Sequence, residues 1–314
     1  MNLFSCDPGT QKYEIWPAVI HGQQYLFVDT PGFAAGDMND MEIFEDIMNC
    51  LIAIGPFVTI AGVLFLHDIK KDRMTAGELK TVRWLQCFCG PQFYQNITLV
   101  TTKWDELKQK ALIKARGRLE GLKTSDFAPL LNPPGGYHGG YLYNHGIPGG
   151  GTEEIWGEPL DLEDDKHTRA AEASNLIHSR YGNTHAAELQ IKKELDKGKK
   201  LPQTEAAKAL TTLPTESWII VARNKAFLLR ADELAPDDEE QDDKDTARAK
   251  ENEAREPSFT ESLEQWLNIA KQVAIFFSAR SLPVAAASAA CAACGAIWKS
   301  VKDWWCGPAP TSSS

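Results

Sequence analysis

The first half of the chain alternates short apolar runs with stretches of helical periodicity. Ile15 to Ile20 is an apolar run closed by a polar turn at His21-Gly22-Gln23, and Tyr25-Leu26-Phe27-Val28 predicts a strand ending at Asp29. Continuous apolar runs of this length suit strands buried on both faces. Met41, Phe44, Ile47, Met48 and Leu51 recur at helical spacing and predict an amphipathic helix up to Gly55-Pro56. Val58 to Leu66 predicts the next buried strand, and Leu79, Val82, Leu85 and Phe88 a helix ending near Cys89-Gly90. Asn96 to Thr101 predicts a third buried strand, and Glu106 to Leu119 a charged helix. Strands alternating with helices imply an α/β fold with a mostly parallel sheet.

The second half reads differently. Pro133 to Gly151 is rich in glycine and tyrosine, with Tyr141 to His145 as one last strand inside it. Beyond Asp164 the pattern predicts helices over about 165–181, 184–197, 203–212 and 216–231, and Phe259–Ala279 and Val284–Trp305 predict two more. The expected organisation is an α/β body over 1–150, a helical extension over 151–231, an acidic linker over 232–257, C-terminal helices over 258–306 and a tail over 307–314. No internal repeat is evident.

Composition changes this picture in two places. The 314 residues are 43% hydrophobic and 24% charged, which excludes collagen-like, wholly disordered and disulfide-dense classes. The formal charge of −10 is concentrated: Ala231 to Glu256 holds twelve acidic against four basic residues, so the acidity belongs to one segment. A net charge of −10 argues against a nucleic-acid grip spread over the whole surface. Seven scattered cysteines do not form a disulfide framework, and the first residues lack a secretory pattern, so a cytoplasmic location is expected. Ser281 to Trp298 is uncharged over eighteen residues, eight of them alanine, and flanking tryptophans and lysines suit a membrane interface. A helix buried against Phe259–Ala279 is the preferred reading, and peripheral membrane association is the alternative. Protein partners are unspecified; an oligomer is compatible with the sequence.

Two tetrapeptides carry candidate chemistry, each directly after a predicted strand: Asp29-Thr30-Pro31-Gly32 and Thr102-Lys103-Trp104-Asp105. Ligands of open α/β sheets gather at the carboxyl ends of strands. Asp29 could hold the water shell of Mg²⁺. Gly32 would let its N–H approach a phosphate. Asp105 could accept a pair of hydrogen bonds from guanine, with the Lys103 stem over the base. The plainer readings are a turn at Asp29–Gly32 and a helix N-cap at Asp105.

On these residues the chain resembles the GTPase superfamily of P-loop proteins, and within it fungal G-domain proteins of the septin and immunity-associated (GIMAP-like) branch. Phe27-Val28-Asp29-Thr30-Pro31-Gly32-Phe33 is similar to the third G motif and Thr101-Thr102-Lys103-Trp104-Asp105 to the fourth. Leu66-His67-Asp68-Ile69 and Asp72-Arg73-Met74 resemble the segment between them. The resemblance covers about residues 5–150. It implies a Ras-like sheet, GTP or GDP with Mg²⁺, and a switch or assembly protein. Asp29 and Gly32 would face Mg²⁺ and phosphate, Thr102, Lys103 and Asp105 the base. Thr10 would be a second metal contact, with Ser5 competing.

The family's G-x-x-x-x-G-K-[ST] motif is absent, so the implied sheet is incomplete at its N-terminus, through truncation or degeneration. Phe33 and Ala34 stand where some GTPases orient a water with glutamine, so the resemblance implies a GTPase only with the missing motif restored, and then a slow or partner-dependent one. The alternative of another class is a non-catalytic interaction module built on the same shape. Cys87-x-Cys89 has no second ligand pair for zinc, and Cys291 and Cys294 lie in an alanine-rich helical pattern that favours buried thiols. His138 and His145 suit a surface loop or, on the resemblance, a loop near the base.

Overall fold

The computed structural model describes residues 14–33, 39–151, 156–183, 187–213 and 217–231. Thr10 and Ser5, the acidic run beyond residue 231, Cys291, Cys294 and the apolar stretch 281–298 lie outside them. In chain order the elements are β1 (Glu14–Ile20), β2 (Gln23–Asp29), α1 (Asp40–Ile54), β3 (Val63–Asp68), α2 (Ala76–Cys89), β4 (Ile97–Thr102), α3 (Gln109–Thr124) and α4 (Ala128–Leu131). They continue as β5 (Tyr141–Asn144), α5 (Lys166–Tyr181), α6 (Gln190–Asp196), α7 (Glu205–Thr211), β6 (Ser217–Ala222) and β7 (Lys225–Arg230). The fold is mixed α/β.

Three strands make the parallel sheet, in the order β3-β4-β5. β4 is central, and its residues Ile97 to Thr101 are buried without a break, as a strand covered on both faces requires. The helix before it, α2, is the core's keystone. Its face of Val82, Trp84, Leu85 and Phe88 is buried, and Trp84 stacks on Phe88 at 4.3 Å and meets Phe44 and Phe33 edge-on. Phe33, two residues from Asp29-Thr30-Pro31, is thus a core side chain. Gly90 ends α2 at φ 74°, and a Cβ there would meet the Gln190 side chain at 2.7 Å. Cys50, Cys87 and Cys89 are buried thiols, and burial pushes the Cys50 thiol up to about 12.

The start of α2 is fastened to the sheet. Thr75 and Glu78 form a reciprocal capping box, and Glu78 also bonds the buried His67 Nδ1 on β3 at 3.1 Å. Burial alone would raise the Glu78 carboxyl, but the His67 and Thr75 bonds outweigh it and hold it at about 2. A folded-state value below the unfolded one stabilises the fold above the unfolded value near 4.5, and that contribution disappears as pH falls through about 2. Acid titration followed by circular dichroism should therefore show loss of stability between those limits. Glu78→Gln should flatten the slope; an unchanged slope would deny the cap its role.

Two expectations are corrected here. The apolar run ending at Asp29 is expected to be a strand buried on both faces in a mostly parallel sheet. Instead β2 pairs antiparallel with β1 in a separate hairpin turned by His21 and Gly22, both at positive φ. Its residues are half-buried, not buried on both faces, and Ile15, Leu26 and Val28 pack on Cys50 and Ile54 at the end of α1. The helix expected over 216–231 is the hairpin β6–β7. The β-branched run Ile219-Ile220-Val221 disfavours helix, and Arg223-Asn224, both at positive φ, form a two-residue hairpin turn.

Candidate functional site

The carboxyl ends of β3, β4 and β5 converge, and each carries polar residues into the loops beyond. At the end of β3, Asp68 accepts from Lys103 Nζ at 2.8 Å and from the Lys70 backbone N–H at 2.9 Å. Burial works against the charged Asp68 carboxyl, but these two bonds outweigh it and hold it below the usual range. Lys70 pairs in turn with Glu106. Lys103 itself sits at φ 64°, a left-handed conformation that costs a non-glycine residue roughly 1–3 kcal/mol. Such strain, directly after a central strand, is a frequent mark of functional loops.

The end of β4 is fixed by a relay of hydrogen bonds. Trp104, fully buried, donates from Nε1 to Thr101 Oγ1 at 2.9 Å. Thr101 donates to Asn144 Oδ1 at 2.7 Å, and Asn144 Nδ2 donates to the Gly150 carbonyl at 2.9 Å. The relay ties β4 to β5 and β5 to the glycine loop that follows. Trp104 also packs on Trp156 at 5.4 Å between ring centroids, and the Arg116 guanidinium lies over the Trp156 ring.

Asp105 points to α5. Its carboxylate accepts from Arg169 Nη1 at 3.0 Å, and the same nitrogen donates to the Leu160 carbonyl at 2.8 Å. Both charges are shielded, the Asp105 and Arg169 side chains being 12% and 4% exposed. Gly146 at φ 91° passes against this guanidinium; a Cβ there would lie 2.9 Å from Nη1. One helical turn along α5, Glu172 Oε1 accepts from the Gly149 N–H at 3.0 Å. Gly149, Gly150 and Gly151 all have positive φ, and a Cβ on Gly150 would press into the Tyr143 ring at 2.8 Å. The loop therefore lies directly on Tyr143, at the end of β5.

Three buried polar atoms in this corner have no hydrogen-bond partner among the described residues: Arg169 Nε, Tyr143 Oη and Glu172 Oε2. Burial, and then the Glu172 carboxylate, raise the Tyr143 phenol. None of these three residues stands out in the sequence, because Arg169 and Glu172 read as ordinary polar positions of a helix. Only the packing of α5 against the strand ends reveals them.

The sequence-expected residues divide between two places. Thr102, Lys103 and Asp105 stand together at the carboxyl end of β4, with Thr102 Oγ1 donating to the His67 carbonyl at 3.4 Å. Asp29 and Gly32 close β2, which shares no ladder with that sheet. A Cβ on Gly32 would meet nothing within 4 Å. Asp105 is not a helix cap, since α3 begins after Lys108 without a side-chain cap. Among the described residues no group of three or more His, Cys, Asp or Glu side chains is placed to hold a metal.

A probable FAD-binding monooxygenase of Aspergillus luteorubrus, ltbD, is 27% identical over 157 residues. The match takes in 49% of this chain and 30% of that protein, so the chain spans under a third of the relative's length. No family model and no solved structure matches.

This similarity overturns the guanine-nucleotide expectation: the relative is named for flavin chemistry, not for GTP. Membership of the G-domain branch, the P-loop GTPase function, GTP or GDP with Mg²⁺ and guanine nucleotide as partner are all withdrawn. The physical reason lies at the end of β4. The Asp105 carboxylate meant for guanine is engaged by Arg169, and Lys103, whose stem was to lie over the base, is drawn by its ammonium to Asp68. Among the described residues, no helix is long and apolar enough to cross a membrane.

Proposed function

We propose that the carboxyl edge of β4 and β5 binds a compact polar molecule bearing both hydrogen-bond donors and acceptors, and that the chain is a ligand-binding α/β module. The observation that carries this reading is the trio of unpartnered buried atoms, a guanidinium N–H, a phenol and a carboxylate oxygen, in one corner. Leaving such groups unpaired costs roughly 1–3 kcal/mol each, so folds seldom keep several together without an occupant. Thr102, Lys103 and Asp105 form the rim. The charges there are internally compensated, Lys103 by Asp68 and Arg169 by Asp105, which favours a neutral or zwitterionic ligand over a strongly charged one.

The relative's name brings FAD into consideration, and the residues of this chain do not fit it. Dinucleotides bind at a glycine-rich turn that leads from a strand into a helix N-terminus. In the parallel sheet the turn from β3 to α2, residues 69–75, has no glycine, and neither has the segment 103–108 between β4 and α3; Gly32 and Gly36, between β2 and α1, follow a strand of an antiparallel hairpin. The glycine loop after β5 leads into a short 3₁₀ turn at Pro148–Gly150 instead. The sequence holds no G-x-G-x-x-G.

The test is titration of the ¹⁵N-labelled chain with formamide, glycine and acetate as fragment probes, with FAD as a fourth arm. Formamide or glycine should shift the amides of residues 143–151 and 169–172, and FAD should not. Tyr143→Phe and Glu172→Gln should each weaken the effective fragment about tenfold. Absence of shifts at tens of millimolar would leave buried water as the occupant and overturn the reading.

A further inference from the structure

Among the described residues, the hairpin β6–β7 has one protected edge and one open edge. Its two-residue turn sets the register, with Ala222 facing Lys225. Counting from that hydrogen-bonded pair, Ser217, Ile219 and Val221 direct their N–H and C=O groups away from β7, as do Ala226, Leu228 and Arg230 on the other side. On β7 the outward groups are taken by helices. Gln190 exchanges two 2.7 Å bonds with Ala226, and Glu205 accepts from the Leu228 N–H at 3.1 Å. On β6 only the Ser217 end is covered, its carbonyl accepting from Arg83 at 3.1 Å. No backbone hydrogen bond engages the outward groups of Ile219 and Val221 among the described residues.

The outer face beside this edge is apolar. Trp218 and Ile220 are 51% and 42% exposed, and their cross-strand neighbours are Leu229 and Phe227. β6 also lacks the lysine, proline or bulge by which exposed edges are normally guarded. Its two ends are basic: Arg83 stands at Ser217, and Arg223 and Lys225 stand at the turn, without an ion pair among the described residues. Residues 217–230 contain no Asp or Glu.

We propose that the open edge of β6 receives an extended, acidic segment of another polypeptide as a third strand. Four backbone hydrogen bonds, to the N–H and C=O of Ile219 and Val221, would hold it in register. Apolar side chains at alternate positions would lie on Trp218 and Ile220, and acidic residues at its ends would meet Arg83 and Arg223. Main-chain pairing of this kind supplies affinity, while alternate side chains supply specificity. Charge decides against pairing β6 with the β6 of a second copy. Antiparallel pairing of two β6 strands sets Arg223 beside the Arg83 end of the other, and parallel pairing sets Arg223 beside Arg223.

The probe is an acetylated, amidated seven-residue peptide alternating isoleucine and threonine between two glutamates, added to the full chain and followed by ¹⁵N shifts, the Trp218 indole N–H included. Binding should move the amides of Ile219 and Val221. It should weaken about tenfold or more when the terminal glutamates become lysines, and about as much in 0.5 M salt. Ile219→Pro deletes an outward N–H without breaking the β6–β7 ladder and should abolish binding. Should that variant unfold, N-methylation of the peptide's edge-facing amides tests the same bonds on the unaltered protein. Equal binding of the lysine peptide, tolerance of N-methylation, or no binding would overturn the proposal. So would a concentration-dependent dimer in sedimentation that Ile219→Pro dissolves, since a second copy would then be the occupant.

Discussion

Replacing Arg169 with methionine is expected to destabilise the fold by about 3–5 kcal/mol, the range for removing one partner of a buried ion pair. Methionine keeps much of the side-chain length, so lost volume is a minor part of the effect. The Asp105 carboxylate, 12% exposed, would be left without its guanidinium, and the Leu160 carbonyl without its donor. Arg169→Lys should fall between, since an ammonium keeps the charge but not the planar fork that serves both acceptors. Asp105→Asn should cost less than Arg169→Met, because an amide oxygen still accepts and the stranded charge is then the cation. The double variant Asp105→Asn/Arg169→Met should cost less than the two single changes added together, which is the signature of direct coupling. Urea denaturation by circular dichroism gives these differences directly. A loss below about 1 kcal/mol for Arg169→Met would place the pair among ordinary surface bridges and remove the anchor of the proposed site.

The residues of this pair also show what could be read in advance. Asp105 is conspicuous because it ends a tetrapeptide after a buried strand, where ligands of α/β sheets are held. Arg169 is not, because its partner lies 64 positions away and its helix carries arginine and glutamate in no special pattern. The local elements were legible wherever periodicity was strong: α1, α2, β4, β5 and α5 stand within a few residues of their expected places. The pairing of strands was less so. Tyr25–Val28 has the apolar continuity of a central strand, yet a two-residue turn at His21-Gly22 delivers it to its own neighbour, and local closure precedes any longer-range pairing. The hairpin at 217–230 was hidden for the opposite reason. Trp218-Ile219-Ile220 is apolar on both faces because its outer face is exposed and apolar, so the alternation that normally marks a half-buried strand is missing. The motif resemblance failed at the same level: a tetrapeptide records which residues follow a strand, not whom their side chains engage.

Trp104→Ala is expected to be the other severe change, at about 3–5 kcal/mol for a fully buried aromatic side chain. The indole fills the space between the end of β4 and Trp156, and its deletion leaves a cavity that a closing loop can only partly fill. The same side chain begins the relay through Thr101 and Asn144 to the Gly150 carbonyl. Trp104→Phe separates these roles: it retains most of the volume and removes only the N–H donor, leaving Thr101 Oγ1 able to donate as before. Its cost should accordingly be near 1 kcal/mol, the net worth of a single neutral hydrogen bond. If the relay also positions the glycine loop, Trp104→Phe should broaden or shift the amide resonances of Gly149–Gly151 while those of α2 stay in place. Equal losses for alanine and phenylalanine would assign the stability to the hydrogen bond. A phenylalanine variant with unchanged loop resonances would instead show that Tyr143 and Glu172 hold the loop without help from β4.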